Sequence, residues 1–221
     1  MLKYICIIYA EKQKGNYIKM KKFIAPLMIA LQISVMIPSG VSANTTHKVV
    51  SGDSMWKIAV KYEVGLSEII NENPEVLNPA LIYPGQLIKV PTVNSGVLSY
   101  ESEVVRLVNE IRTKNGLKKL TEDWQLSRVA RYKSQDMKDK NYFSHTSPTY
   151  GTPFQMMKSF GISYKTAGEN IAKGQATPQA VVNAWMNSSG HRANILNSKY
   201  TKIGVGYVEN GKYWTQMFIG D

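Results

Sequence analysis

Three side chains able to do chemistry near neutral pH stand on separated segments that look made to meet. His145 lies in Phe143-Ser-His-Thr-Ser-Pro148, and Glu169 lies in Gly168-Glu-Asn-Ile-Ala172. His191 lies in Trp185-Met-Asn-Ser-Ser-Gly-His-Arg-Ala-Asn-Ile-Leu196. Two imidazoles and a carboxylate can hold a divalent metal such as zinc with one position open. Water bound there would be acidified and could hydrolyse a bond. The same three groups can instead hold one another by hydrogen bonds and tie three loops together. Separations of 24 and 22 residues form no local ligand signature of the His-Glu-x-x-His kind. Ser144 and Ser147 flank His145 without a Gly-x-Ser-x-Gly elbow, which sets a serine triad aside. Arg192 reads as a partner for a helix end, and Asn170 and Asn194 read as ties to backbone.

The elements that must position these groups are legible from periodicity. Val104, Leu107, Val108 and Ile111 predict one face of a helix over residues 100–115. Leu126, Val129, Ala130 and Met137 do the same over 123–140. A short helix is expected behind Pro153, and another opens at Thr177-Pro178, where threonine caps and proline suits the first turn. Trp124, Trp185 and Trp214 read as core. Ser189-Gly190 reads as the exit of the last helix, which would leave His191 on a loop. Asn210-Gly211 is a strong two-residue turn signal. It predicts a hairpin pairing Glu209 with Lys212, Tyr207 with Trp214, Val205 with Gln216 and Ile203 with Phe218. Gly204 and Gly206 then share the opposite face, so another element can pack close against it. A sheet covered by helices on both sides follows.

Charge and cysteine content bound the setting. The formal charge is +11, but residues 1–43 hold six Lys and one Glu, and the remainder is +6. That excess suits adhesion to an anionic surface. Beyond the leader it forms no run longer than Lys118-Lys119, so nucleic acid is not an expected partner. The one cysteine, Cys6, lies in the same leader, and a chain lacking it has no thiol for disulfides, nucleophilic catalysis or metal binding. From Met20 onward, Lys21 and Lys22, an apolar run from Phe23 to Ile37 and Val41-Ser-Ala43 make a complete secretory signal. Translation from Met20 and export are therefore expected, with no stable membrane span once the leader is removed.

Residues 46–91 read as strand, helix, helix, strand. Asp53 is the expected N-cap of the first helix and Ser67 of the second, and Pro91 is expected to stop the last strand. His47-Lys-Val-Val-Ser-Gly-Asp-Ser-Met-Trp-Lys-Ile-Ala59 and Leu81-Ile-Tyr-Pro-Gly-Gln-Leu-Ile-Lys-Val-Pro91 resemble a LysM domain. The resemblance implies binding of N-acetylglucosamine polymers, peptidoglycan or a chitin-like glycan. The implied contacts are Gly52, Asp53, Ser54 and Met55 on one loop and Asn78, Ala80, Leu81 and Ile82 on the other. Met55, Ile58 and Leu81 read as core ahead of sugar contacts.

The His145, Glu169 and His191 segments, followed by Tyr213-Trp-Thr-Gln216, resemble the CAP superfamily of cysteine-rich secretory, antigen and pathogenesis-related proteins, in its secreted bacterial branch. That resemblance implies an α-β-α sandwich with a central cleft. His145 and Glu169 match the family's first histidine and first acid. Ser188 stands near the second acid's place and Tyr213 near the second histidine's, with His191 as a bacterial-type substitute. The expectation is an α+β chain: a leader over 1–43, a β-α-α-β LysM unit over 44–91, a linker over 92–99 and a CAP domain over 100–221. It would be secreted and held at the cell wall or a spore surface. Open alternatives are a metal-dependent hydrolase acting in the wall or on extracellular protein, and a cleft for lipid or another small ligand.

Overall fold

The hairpin is where the expectation and the computed structural model agree in register. Strand β5 (Lys202–Val208) runs antiparallel to β6 (Tyr213–Gly220), pairing Tyr207 with Trp214, Val205 with Gln216 and Ile203 with Phe218. The turn is wider than two residues. Pairing stops at Val208 and Tyr213, and positive φ falls on Gly211 and Lys212 rather than on Asn210.

The structure describes residues 41–220, and side chains from Asn44 onward. The leader expected over 1–43 lies outside the described residues, except for the backbone of Val41–Ala43 within β1. The described residues belong to one unit. No helix among them is long and apolar enough to cross a membrane.

The second sheet has the order β3-β5-β6-β4, with β3 (Thr121–Glu122) parallel to β5 and β4 (Thr166–Lys173) antiparallel to β6. The expected close approach holds. Helix α4 (Trp124–Asp139) lies so near the glycine face that a methyl at Gly204 would overlap Leu126 and Ser127 backbone. One at Gly206 would overlap Ala130 and Arg131 backbone. Leu126, Val129, Ala130 and Tyr132 pack there with Met217 and Ile219 and with Met156 and Met157 of α5 (Pro153–Ser159). The other face carries α3 (Ser95–Lys114) and α6 (Pro178–Asn187) around Val104, Val108, Val181, Trp185, Trp214 and Phe218. The fold is mixed α and β, a sheet between helices. Trp185 and Trp214 are core as expected, while Trp124 is only half-buried.

The N-terminal unit pairs β1 (Val41–Lys48) with β2 (Leu87–Val93) beside α1 (Met55–Lys61) and α2 (Leu66–Glu72). Both expected caps move by one or two residues. Ser54 caps α1 by accepting from the Lys57 amide, because the Asp53 carboxylate is already taken by His47 and the Val50 amide. Gly65 starts α2, and the Glu68 carboxylate reaches back to its N–H at 2.8 Å. Pro91 does not end β2 but pairs opposite Asn44 on this two-stranded edge, where its missing N–H is tolerated. The stretch 92–99 is no loose linker either. β2 runs to Val93, and the Asn94 side chain accepts from the Gly96 amide and starts α3 at Ser95.

Candidate functional site

The three residues do not all sit on loops. His145 lies on the connection between α4 and α5, but Glu169 is in strand β4 and His191 is in helix α7 (Ser189–Ile195). The Ser189-Gly190 pair expected to end a helix begins α7 instead. Ile195 buries fully at its end, and Asn170 donates to the His191 carbonyl at 3.1 Å. Because β4 is an edge strand and side chains alternate along it, Glu169 and Asn170 leave on opposite faces. Glu169 faces the α4 side with its cross-strand partner Met217. Asn170 faces the α7 side, where it also donates to Gln216 Oε1 and accepts from Asn194. Asn194 donates in turn to the Glu169 carbonyl, so both asparagines tie elements to backbone as expected.

His145 and Glu169 meet directly. Nδ1 of the half-exposed histidine lies 2.7 Å from Oε1 of a carboxylate whose side chain is 2% exposed. Oε2 of Glu169 is buried without any hydrogen-bond partner. Burial pushes the Glu169 carboxyl above its ordinary value, against the His145 hydrogen bond and the charges of Lys133 and His145. His191 is half-buried. Burial, and then the charge of His145, lower its pKa, which places the two rings within electrostatic reach. No hydrogen bond joins the His191 ring to His145 or Glu169 among the described residues.

The expected metal set is not assembled in this arrangement: among the described residues no three His, Cys, Asp or Glu side chains converge as metal ligands would. The family's second positions are not supplied by their neighbours. Tyr213 is buried in a small cluster with Met137, Ile171 and Val208, and Ser188 is a helix boundary residue. Arg192 donates to the Met186 carbonyl near the end of α6, the helix-end role expected of it.

Periodicity missed two residues that build the site. Lys133 is fully buried on α4 and donates to the His145 carbonyl at 2.8 Å and to Tyr142 at 3.2 Å. Asp136 accepts from Tyr142, Ser147 and Thr149 at 2.5, 2.6 and 2.5 Å. Together they fasten the His145 loop to the helix. Burial lowers the Lys133 ammonium pKa, while Glu169 and Asp136 hold it up. The signal was present in the sequence. Lys133 stands three residues after Ala130 and four before Met137, on the helix's apolar stripe.

In the N-terminal unit the two expected loops are joined by backbone bonds, Gly85 donating to Val49 and Val49 to Gln86. Gly52 is open, with φ +89°. Asp53 is held at 2.9 Å by His47 Nε2, and His47 Nδ1 lies 3.2 Å from the Tyr62 hydroxyl. Asn78 closes its own turn by accepting from the Ala80 amide, and Ala80 and Leu81 are exposed. Met55 is 2% exposed in the unit's core, so its side chain packs rather than lining a groove. Ile82 is half-buried against that core.

A sequence model of the cysteine-rich secretory protein family, CAP, matches residues 105–219, and one of the LysM domain matches 47–91. The chain is 71% identical over 126 residues to the protein YkwD of Bacillus subtilis (strain 168), covering 57% of this chain and 49% of that one. It is 33% identical over 88 residues to the N-acetylmuramoyl-L-alanine amidase sle1 of Staphylococcus epidermidis, covering 40% of this chain and 26% of the amidase. It thus spans about half or less of the length of these relatives. A solved extracellular protein containing an SCP domain from Bacillus anthracis superposes with a TM-score of 0.55 at 37% identity, over 62% of this chain and 47% of that one.

Proposed function

Since the chain belongs to the cysteine-rich secretory protein (CAP) family and carries a LysM domain ahead of its CAP domain, we propose that it is a secreted binding protein of the cell wall or spore surface. Its LysM unit grips peptidoglycan through N-acetylglucosamine, and its CAP domain is displayed there with the His145–Glu169 cleft. The observation that carries this reading is the LysM match together with two adjoining, exposed loops. Gly52 leaves open space beside the first loop, and exposed Leu81 offers an apolar surface to a sugar ring. The net positive charge favours an anionic wall. The likeness to an N-acetylmuramoyl-L-alanine amidase agrees with this setting.

Co-sedimentation with purified peptidoglycan tests the reading. The protein should pellet with the glycan, and soluble N-acetylglucosamine oligomers should release it. Leu81→Asp, at an exposed position, should lower the bound fraction about tenfold, as loss of a central contact does. A wild-type protein that stays in the supernatant sinks the wall reading. Unchanged binding by Leu81→Asp moves the contact off this loop.

A further inference from the structure

Helix α4 serves a second site besides the cleft. Arg128, five residues ahead of Lys133, and Tyr132, its immediate neighbour, face the LysM unit. Arg128 Nε donates to Glu68 Oε1 at 2.6 Å, and the Tyr132 hydroxyl donates to the same oxygen at 2.7 Å. Glu68 Oε2 accepts from the Gly65 amide, so one buried carboxylate both caps α2 and reaches across to the CAP domain. The Arg128 guanidinium lies over the rings of Tyr132 and Phe160, at 5.4 and 5.2 Å from their centroids. Gly65 completes the fit. A methyl there would overlap the Arg128 guanidinium, although the backbone of Gly65 (φ −74°) would accept alanine without strain.

The covalent connection is equally tight. β2 passes into α3 through Asn94 alone, and Val93 and Val97 on either side of it pack into the CAP core. Domains within a chain ordinarily move relative to one another unless their interface is extensive or well packed. Here the chain crosses once without slack, and a largely desolvated ion pair between Arg128 and Glu68, residues 60 apart in sequence, closes a second point. Burying such a pair is tolerated only when the charged groups keep hydrogen-bond partners, and both Glu68 oxygens have donors.

We infer that the CAP face made by Arg128, Tyr132 and Phe160 is a docking surface for this chain's own LysM helix α2, latched through Glu68. The two domains therefore turn as one body, and the His145–Glu169 cleft is held at a fixed attitude to whatever the LysM loops grip. The latch stands whether or not that ligand is peptidoglycan.

Amide relaxation measured on the full protein tests this without any ligand. Wild type should show a single rotational correlation time for both domains. Arg128→Ala should separate the times, the LysM domain tumbling faster, while amide shifts far from the joint stay in place. Gly65→Ala provides a second route that leaves both ionic partners intact. It should lower Tm in the wild-type background and lose that effect when combined with Arg128→Ala, since the nearest overlaps are all with the Arg128 guanidinium. Two correlation times in wild type, one shared time in Arg128→Ala, or additive effects of the two substitutions would each overturn the latch.

Discussion

The first half of α4 and the segment after it bury charge in different ways. Toward its start, Arg128 and Arg131 meet Glu68 and Glu101, and every carboxylate oxygen there has a partner. Glu101 takes Arg131 on both oxygens at 2.9–3.0 Å and the Tyr207 amide at 2.9 Å. Farther along, Lys133 and Asp136 hold the His145 loop, but the carboxylate that loop faces is only half met. Glu169 has His145 on one oxygen and nothing on the other. Fully paired buried charges hold a fold together, and removing one partner strands the other. A buried carboxylate with a spare oxygen beside a half-exposed histidine contributes less to the fold and is equipped to receive a ligand. The contrast separates structural acids from the site acid without reference to any relative.

Arg131→Ala should give the largest effect, because it leaves Glu101 buried without its counter-ion, with the Tyr207 amide on one oxygen. A loss of about 3–5 kcal/mol in denaturant unfolding is expected. A cost no greater than that of removing the Glu169 charge would erase the contrast. Gly206→Ala comes next. Overpacking against helix backbone costs about 1–3 kcal/mol, whereas Gly190→Ala, with open space around it and ordinary φ, should be neutral or slightly stabilising. Lifting α4 off the sheet disturbs both halves at once. Gly206→Ala should therefore also loosen the His145 loop, seen as faster amide exchange over residues 142–149.

The core was legible in the sequence because it follows a period. Leu126, Val129, Ala130 and Met137 repeat at helical spacing, and the turn at Asn210-Gly211 set strand partners that the structure keeps. The site was less legible because its elements are held by tertiary bonds rather than by propensity. Gly168-Glu-Asn-Ile-Ala172 is too polar to read as a strand, and it is one because Met217 and Gln216 pair it along β6. Ser189-Gly190 is a poor helix start, and α7 forms there because Ile195 and the Asn170 bond anchor it. Lys133 and Asp136 were passed over because only apolar residues were counted on the stripe of α4. The joint at 92–99 looks like a Ser/Gly linker, and the single cap at Asn94 turns it into helix.

The smallest effect is the most diagnostic. Glu169→Gln keeps the shape and an acceptor for His145 but removes the charge. In the folded protein burial holds the Glu169 pKa above its unfolded value, so the protonated form favours folding. That contribution is complete below the ordinary carboxylate range and is lost as pH climbs through the raised value. Wild type should therefore lose Tm relative to Glu169→Gln as pH increases from the ordinary carboxylate range toward neutrality. At low pH the two should coincide, since both side chains are then uncharged. Thermal unfolding of both proteins across that range measures the difference directly. Parallel curves would mean that Glu169 titrates as an ordinary carboxylate, met by groups it does not touch in the structure. The distinction from Glu101, whose carboxyl burial also raises, rests on hydrogen-bond geometry in either case. Curves that diverge as described show that the fold tolerates the Glu169 charge rather than using it; burial raises Glu101 as well, to about 7, so what sets Glu169 apart is its unpartnered Oε2, the property a ligand-binding carboxylate needs.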